Sequence, residues 1–284
     1  MAARRGGFSV ERPSSAMTTA PSRSDLANDS HAVVIGQQRL VRHLDLFSGI
    51  GGFALAAQWV GGIETVAFCE INKYARQVLA KNFPNVPMHD DVKTLNPKDY
   101  GRIDLITGGY PCQPFSSAGQ RKGAEDDRHL WPAMRRIIEE ARPRWVLSEN
   151  VVGHITLGLD QVLSELEAIG YAATATVIPA CAVDARHRRD RVWIMAGDTN
   201  GFDVDTLGKV QDGIAYPGGR SRWLPAPGMG RKADGIPRAV DRNHGLGNAI
   251  VPQVAAEILR AMMAVDSLLP NKALSQSPEN EPQR

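Results

Sequence analysis

The sequence predicts an α/β fold, a doubly wound and mostly parallel sheet of Rossmann-like type with a small irregular region attached. Three observations predict it. From residue 40 onward, short apolar runs alternate with amphipathic stretches. A glycine turn joins the first apolar run to the first amphipathic stretch, and residues able to do chemistry recur just after the apolar runs, where such sheets bind ligands.

In chain order, residues 1–38 are rich in Ser, Arg, Ala and Pro and read as a disordered tail, with Glu11, Asp25 and Asp29 arguing against a transit peptide. Residues 39–196 read as one α/β domain. In it "RHLDLF" predicts a strand, "GFALAAQWV" a helix, "ETVAFCE" a strand and "NKYARQVLAKN" a helix. "RIDLITGG" predicts the next strand and "LWPAMRRIIEEA" a helix, because Leu130, Met134, Ile137 and Ile138 fall on one face. "RWVLSE" follows as a strand and "LDQVLSELEAIG" as a helix closed by Gly170, then "YAATATVI" and "RVWIMA" as strands. Residues 197–240 carry many Gly and Pro with isolated Phe202, Tyr216 and Trp223, and read as an irregular insertion. Residues 241–268 return to order, with Ile250, Val254, Ile258 and Met262 marking a helix face, and residues 269–284 read as a loose tail.

Composition narrows the function classes. The chain has 284 residues, 43% apolar, enough for a substantial core. Cys69, Cys112 and Cys181 are an odd set without zinc-type spacing, so no disulfide framework and no metal site is expected, and a reducing cytoplasm fits. No apolar run reaches the roughly 20 residues that cross a bilayer, so no membrane role is expected. A net charge of +2 is neutral evidence, but arginines gather in "RHRRDR" (186–191) and recur at Arg220, Arg222, Arg231, Arg238 and Arg242 with Lys232, which suits a polyanion on one part of the surface.

The motifs are more specific. "DLFSGIGGF" (45–53) lets a ligand approach the backbone at a helix start. Glu70 ends the second strand, where a carboxylate takes ribose hydroxyls, and Asp91 in "HDDV" suits an adenine amino group, so the set describes a nucleoside-bearing cofactor. "GGYPCQPFS" (108–116) holds Cys112 between prolines in a turn after a strand, where a thiolate can act as nucleophile. Glu149 in "SEN" ends the fourth strand and could give a proton to a ring nitrogen. If the last strand extends back far enough, His187, Arg189 and Arg191 share one face and Arg188 and Asp190 the other, an arrangement suited to a nucleotide's phosphate and base carbonyl.

These residues run in the order of the cytosine-C5 DNA methyltransferases of bacterial and phage type, which the chain resembles over most of residues 43–260: "DLFSGIGGF", "FCEIN", "DDV", "GGYPCQPFS", "RHLWP", "ENV", "RHRRDR" and "GNAIVPQVA". The resemblance implies a methyltransferase fold that uses S-adenosylmethionine without a metal and acts on a cytosine flipped from double-stranded DNA. It implies that Cys112 attacks C6, that Glu149 engages N3, and that Arg189 and Arg191 steady the target nucleotide, Arg191 at the base O2. It also implies that Phe47, Gly49, Gly51 and Gly52 border the cofactor, with Glu70 at its ribose, Asp91 at its adenine, and Ile71, Val92, Pro111, Leu130 and Asn248 completing the site. Gln113, Ser116 and Arg188 would touch DNA. A cytoplasmic monomer is implied, with room for a cognate restriction endonuclease as partner.

The sequence departs from the family pattern at His187, where Gln is usual, and in the short region 197–240 that would read the target, so a short target site or a relaxed specificity is expected. The alternatives are a tRNA cytosine-C5 methyltransferase with the same chemistry, a noncatalytic DNA-binding relative, a zinc nucleobase deaminase, which would need a second cysteine three residues on, and a cysteine hydrolase using His129 or His154, which would leave Glu70 and Asp91 unexplained.

Overall fold

Every predicted strand forms, and the burial of alternate residues explains why. In the computed structural model, which describes residues 40–111, 130–215 and 247–268, strand β5 (Trp145–Val151) sends Trp145 and Leu147 to one face of the sheet and Val146 to the other. Strand β7 (Asp190–Asp198) does the same, with Trp193 and Met195 on one side and Val192, Ile194 and Ala196 on the other. A strand apolar on both faces must be covered on both, which is the physical content of a doubly wound sheet.

The sheet has seven strands in the order β3-β2-β1-β4-β5-β7-β6. The remaining strands are β1 (Val41–Leu46), β2 (Ile63–Cys69), β3 (Met88–His89), β4 (Leu105–Gly108) and β6 (Tyr171–Pro179). Strands β1 to β5 pair in parallel, while β7 runs antiparallel to both β5 and β6. The winding reverses between β1 and β4, which puts the ligand crevice of such a fold at the carboxyl ends of those two strands.

Helices α1 (Gly52–Val60), α6 (Val204–Gly213) and α7 (Pro252–Leu268) cover one face, where Phe53, Leu207, Val210, Val254, Ile258 and Met262 join Trp145 and Trp193. Helices α3 (Trp131–Ala141) and α5 (Leu159–Ala168) cover the other, with Met134, Ile137, Ile138, Val162 and Leu166 against Leu44, Leu46 and Ile106. Helix α2 (Lys73–Asn82) is capped by the Asn72 side chain, which accepts from the Ala75 amide at 3.0 Å. A single turn, α4 (His154–Leu157), follows β5.

Two readings of the sequence are corrected here. The stretch from 197 is not irregular at its start, because β7 continues to Asp198 and α6 follows. Gly208 and Gly213 dilute the helical pattern, but Asp203 caps the helix by accepting from the Thr206 amide at 2.7 Å, and Leu207, Val210 and Ile214 are buried. The last helix begins at Pro252, so Ile250 and Asn248 precede it, although Val254, Ile258 and Met262 share its buried face as expected. Both tails and the later part of the insertion, including Tyr216, Trp223, Arg220, Arg222, Arg231, Lys232, Arg238 and Arg242, lie outside the described residues.

Candidate active site

The glycine turn after β1 is built by its neighbours. Gly51 has φ +91°, and an added Cβ would stand 2.8 Å from Phe83 Cε2, so helix α2 and the residue after it leave no room for a side chain. Gly52 is pressed from the other side, where a Cβ would meet Ile250 Cγ1 at 2.5 Å. Phe47 holds φ +52°, a conformation that costs a non-glycine residue about 1–2 kcal/mol and needs support from its surroundings. Ser48 supplies some, since its hydroxyl donates to the Asp45 carbonyl at 2.6 Å and its oxygen accepts from the Cys69 amide at 3.2 Å.

Glu70 closes the turn. Its two carboxylate oxygens accept from the Gly49 and Asn72 amides, each at 2.7 Å, so the glycine turn and the start of α2 hang on one buried side chain. Beside it Ile71 is 74% exposed, a bare aliphatic surface at the mouth of the crevice. A Cβ on Gly49 would meet nothing nearer than the Phe47 carbonyl at 4.0 Å, so the crevice is open there. Asp91, half-buried, follows β3, and its Oδ1 accepts from the Lys93 amide at 2.9 Å. Val92 points into the core. An open glycine turn, carboxylates at successive strand ends and an exposed aliphatic side chain between them fit a nucleoside-bearing cofactor.

Glu149 and Arg191 meet because β5 and β7 run antiparallel, which puts the carboxyl end of one strand beside the start of the other. Arg191 Nε lies 2.9 Å from Glu149 Oε1. Burial raises the Glu149 pKa, and Arg191 and then Arg189 pull it back only in part. The shift is in the direction that a carboxyl group needs if it is to donate a hydrogen bond to a ring nitrogen. A Cβ on Gly109 would lie 3.6 Å from Glu149 Oε2, so this carboxyl borders the chain three residues before Cys112.

Residues on either side of Glu149, part of "SEN" but without a role assigned from the sequence, hold that chain. Ser148 donates to the Gly108 carbonyl at 2.6 Å, and Asn150 Nδ2 to the Tyr110 carbonyl at 3.1 Å. Their signal is polarity at buried positions of an otherwise apolar strand. The Tyr110 hydroxyl pairs with His154 Nε2 at 2.8 Å, which engages one nitrogen of the imidazole that a hydrolase reading would free for catalysis.

The arginine motif differs from its expected form. Strand β7 begins at Asp190, and Arg189 turns left-handed with φ +35°, so Arg189 and Arg191 do not alternate along one strand. Arg189 Nη2 donates to the Gly247 and Ala249 carbonyls at 2.9 and 2.8 Å. Arg188 is exposed and pairs with Asp190 at 2.9 Å, leaving it on the surface. Leu130 caps α3 and packs partly into the core, Pro111 and Asn248 are exposed, and His187 is exposed. Cys112, Gln113, Ser116 and His129 lie outside the described residues.

Beneath the turn runs a buried polar chain that the sequence did not reveal. His43 Nδ1 lies 2.9 Å from Thr65 Oγ1 and its Nε2 lies 2.7 Å from Thr107 Oγ1, while the Thr107 hydroxyl lies 3.1 Å from Asp45 Oδ1. His43, Thr107 and Asp45 are fully buried, and Asp45 Oδ2 has no hydrogen-bond partner among the described residues. Among the described residues no group of three or more His, Cys, Asp or Glu could hold a metal ion, and no helix is long and apolar enough to cross a membrane.

Residues 41–207, more than half of the chain, match the family model described as "C-5 cytosine-specific DNA methylase". Among curated proteins, the type II methyltransferase M1.ScrFI of Lactococcus lactis subsp. cremoris is 33% identical over 174 residues, covering 60% of this chain and 43% of that protein. The type II methyltransferase M.HhaI of Haemophilus parahaemolyticus is 34% identical over 160 residues, covering 55% and 48%. The chain thus spans less than half the length of these relatives. Among solved structures, a mutant DNMT2 of Spodoptera frugiperda superposes with a TM-score of 0.50 at 26% identity, covering 56% of this chain and 50% of that one. The Dnmt2 methyltransferase of S. pombe shares the fold at a TM-score of 0.50 and 22% identity, covering 64% and 62%.

Proposed function

Because the chain belongs to the C-5 cytosine-specific DNA methylase family, we propose that it transfers a methyl group from S-adenosylmethionine to C5 of a cytosine flipped out of double-stranded DNA. The single observation that carries the reading is the meeting of a buried Glu149, its pKa raised by burial, with Arg191 beside Gly109, three residues before Cys112 in the sequence. When bound, S-adenosylmethionine supplies an electrophilic methyl group on a sulfonium.

The chain's own residues do the rest. Cytosine C5 is a poor nucleophile while the ring is aromatic, so the Cys112 thiolate adds to C6 and breaks the aromaticity. Charge then moves toward N3 and O2. Glu149 donates to N3 and Arg191 stabilises O2, both in a site where burial strengthens each interaction. After the methyl group reaches C5, loss of the C5 proton expels the cysteine and restores the ring. Arg188, Gln113 and Ser116 contact the DNA backbone and the gap left by the flipped base. Residues 197–240 read the target, and α6 within them is part of the core, so reading falls to the residues beyond 215.

On the cofactor side Glu70 accepts from ribose hydroxyls with the lone pairs that Gly49 and Asn72 leave free, Asp91 takes the adenine amino group, and Ile71 lies along the nucleoside. Glu70→Gln therefore strikes twice. One of its oxygens becomes an amide NH2 that faces a backbone N–H, donor against donor, and leaving them unsatisfied costs about 1–3 kcal/mol. Titration with S-adenosylmethionine should show at least about tenfold weaker binding, alongside a lower melting temperature. Unchanged affinity removes Glu70 from the cofactor site.

The activity is tested by incubating the chain with labelled S-adenosylmethionine and either duplex DNA or tRNA. Label is expected in duplex DNA at C5 of cytosine. Label confined to tRNA overturns the choice of substrate, and no transfer to either overturns the reaction.

A further inference from the structure

We propose that Arg189 is a positioning residue for the segment bearing Asn248, and that it ties the target-base side of the site to the glycine turn. The inference rests on the cofactor reading above, but it assigns Arg189 a part that does not require contact with the target nucleotide. Arg189 Nη2 donates to the Gly247 and Ala249 carbonyls, which flank Asn248 on either side. Two charge-assisted bonds from one nitrogen to carbonyls two residues apart fix the path of the main chain between them. The residue after Ala249 is Ile250, whose Cγ1 fills the place a Gly52 side chain would take. A continuous path of contacts thus runs from Arg189, just before β7, through residues 247–250 to the start of α1.

Three further observations bind Arg189 to this task. Its φ of +35° is strained for a residue with a Cβ, and such a backbone persists where the surroundings over-determine it. Its Nε is buried without a partner among the described residues, so the side chain's hold on the main chain runs through Nη2. Its neighbour Arg191 makes the direct ion pair with Glu149, which Arg189 attracts without pairing, so the direct contacts of the motif divide between the carboxyl group and the main chain.

The two roles separate in the absence of DNA. A residue that only steadies the target nucleotide leaves cofactor binding to the free protein untouched, whereas one that holds residues 247–250 does not. Calorimetric titration of the full chain with S-adenosylmethionine should show Kd raised at least about tenfold in Arg189→Gln and partly restored in Arg189→Lys, which keeps the charge. Arg191→Gln should stay within about twofold of wild type. Hydrogen exchange in Arg189→Gln should accelerate at the amides of residues 247–250 and not across β1 or β4. Ile250→Ala severs the path at its other end and should raise Kd severalfold, which decides the matter if Arg189→Gln does not fold. Wild-type affinity in Arg189→Gln, or in Ile250→Ala where the first variant is unfolded, overturns the proposal. Failure of the wild-type chain to bind S-adenosylmethionine overturns the cofactor reading instead.

Discussion

Methyl transfer should fall by more than ~10³-fold in Cys112→Ala, on the proposed mechanism, while affinity for S-adenosylmethionine should stay within about twofold of wild type. The size of the first effect follows from the chemistry. Without addition at C6 the ring remains aromatic, and neither Glu149 nor Arg191 has developing charge to stabilise. A positioning residue lost from such a site leaves a weakened reaction, but a nucleophile lost leaves none of the covalent path. The second effect follows from topology. The turn, Glu70 and Asp91 follow β1, β2 and β3, whereas Cys112 follows β4, so trimming a thiol there removes no group that holds the cofactor. A duplex with 5-fluorocytosine at the target position should give an adduct with wild type that survives denaturation, and none with Cys112→Ala. An unchanged rate in the variant refutes the covalent mechanism. A variant that loses cofactor affinity as well would show that the two half-sites are not separable.

How much of this was legible in the sequence depends on whether a residue's role is local. "GFALAAQWV" could be read directly because its periodicity and flanking glycines are contained in the segment, and the helix forms over the predicted residues. The strands around Trp145 and Trp193 were equally open to reading, since burial on both faces leaves nearly continuous apolar runs. Helix α6 was missed because its glycines and aspartates mask a pattern whose buried positions are Leu207 and Val210. The family motifs named Glu70, Glu149 and Arg191 as site residues, and the fold brings Glu149 and Arg191 into contact. What no motif could carry is pairing across the chain. Arg189 finds its carbonyl partners 58 and 60 residues away, and Thr107 reaches Asp45 across 62. Those contacts exist only once β1, β4 and β7 have been ordered in the sheet.

Stability should fall by about 2 kcal/mol between pH 6.5 and pH 8 in the wild-type chain through one buried carboxyl group, and Asp45→Asn should abolish that fall. Desolvation by burial raises the Asp45 pKa from 3.8 to about 8, with the Thr107 hydroxyl opposing and Glu70 adding to the shift. Burial likewise lowers the His43 pKa from 6.5 to about 3. Between 3.8 and about 8 the folded chain keeps a proton on Asp45 that the unfolded chain has lost, so stability decreases as pH rises, by about 1.4 kcal/mol per unit. Between about 3 and 6.5 the unfolded chain takes up a proton at His43 that the folded chain refuses, so stability increases with pH at the same slope. The two slopes cancel from 3.8 to 6.5, and above 6.5 only the Asp45 loss remains. Asparagine keeps the shape, accepts from Thr107 through its amide oxygen and never ionises, so only the His43 slope survives in Asp45→Asn. Urea unfolding of both chains at pH 6.5 and 8.5 measures the difference. The variant should be the more stable of the two at pH 8.5, and its stability should not drop between the two conditions through this site. If wild type and Asp45→Asn lose stability in parallel over that interval, the Asp45 carboxyl is already ionised at neutral pH, and the polar chain beneath the glycine turn holds a charge instead of a proton.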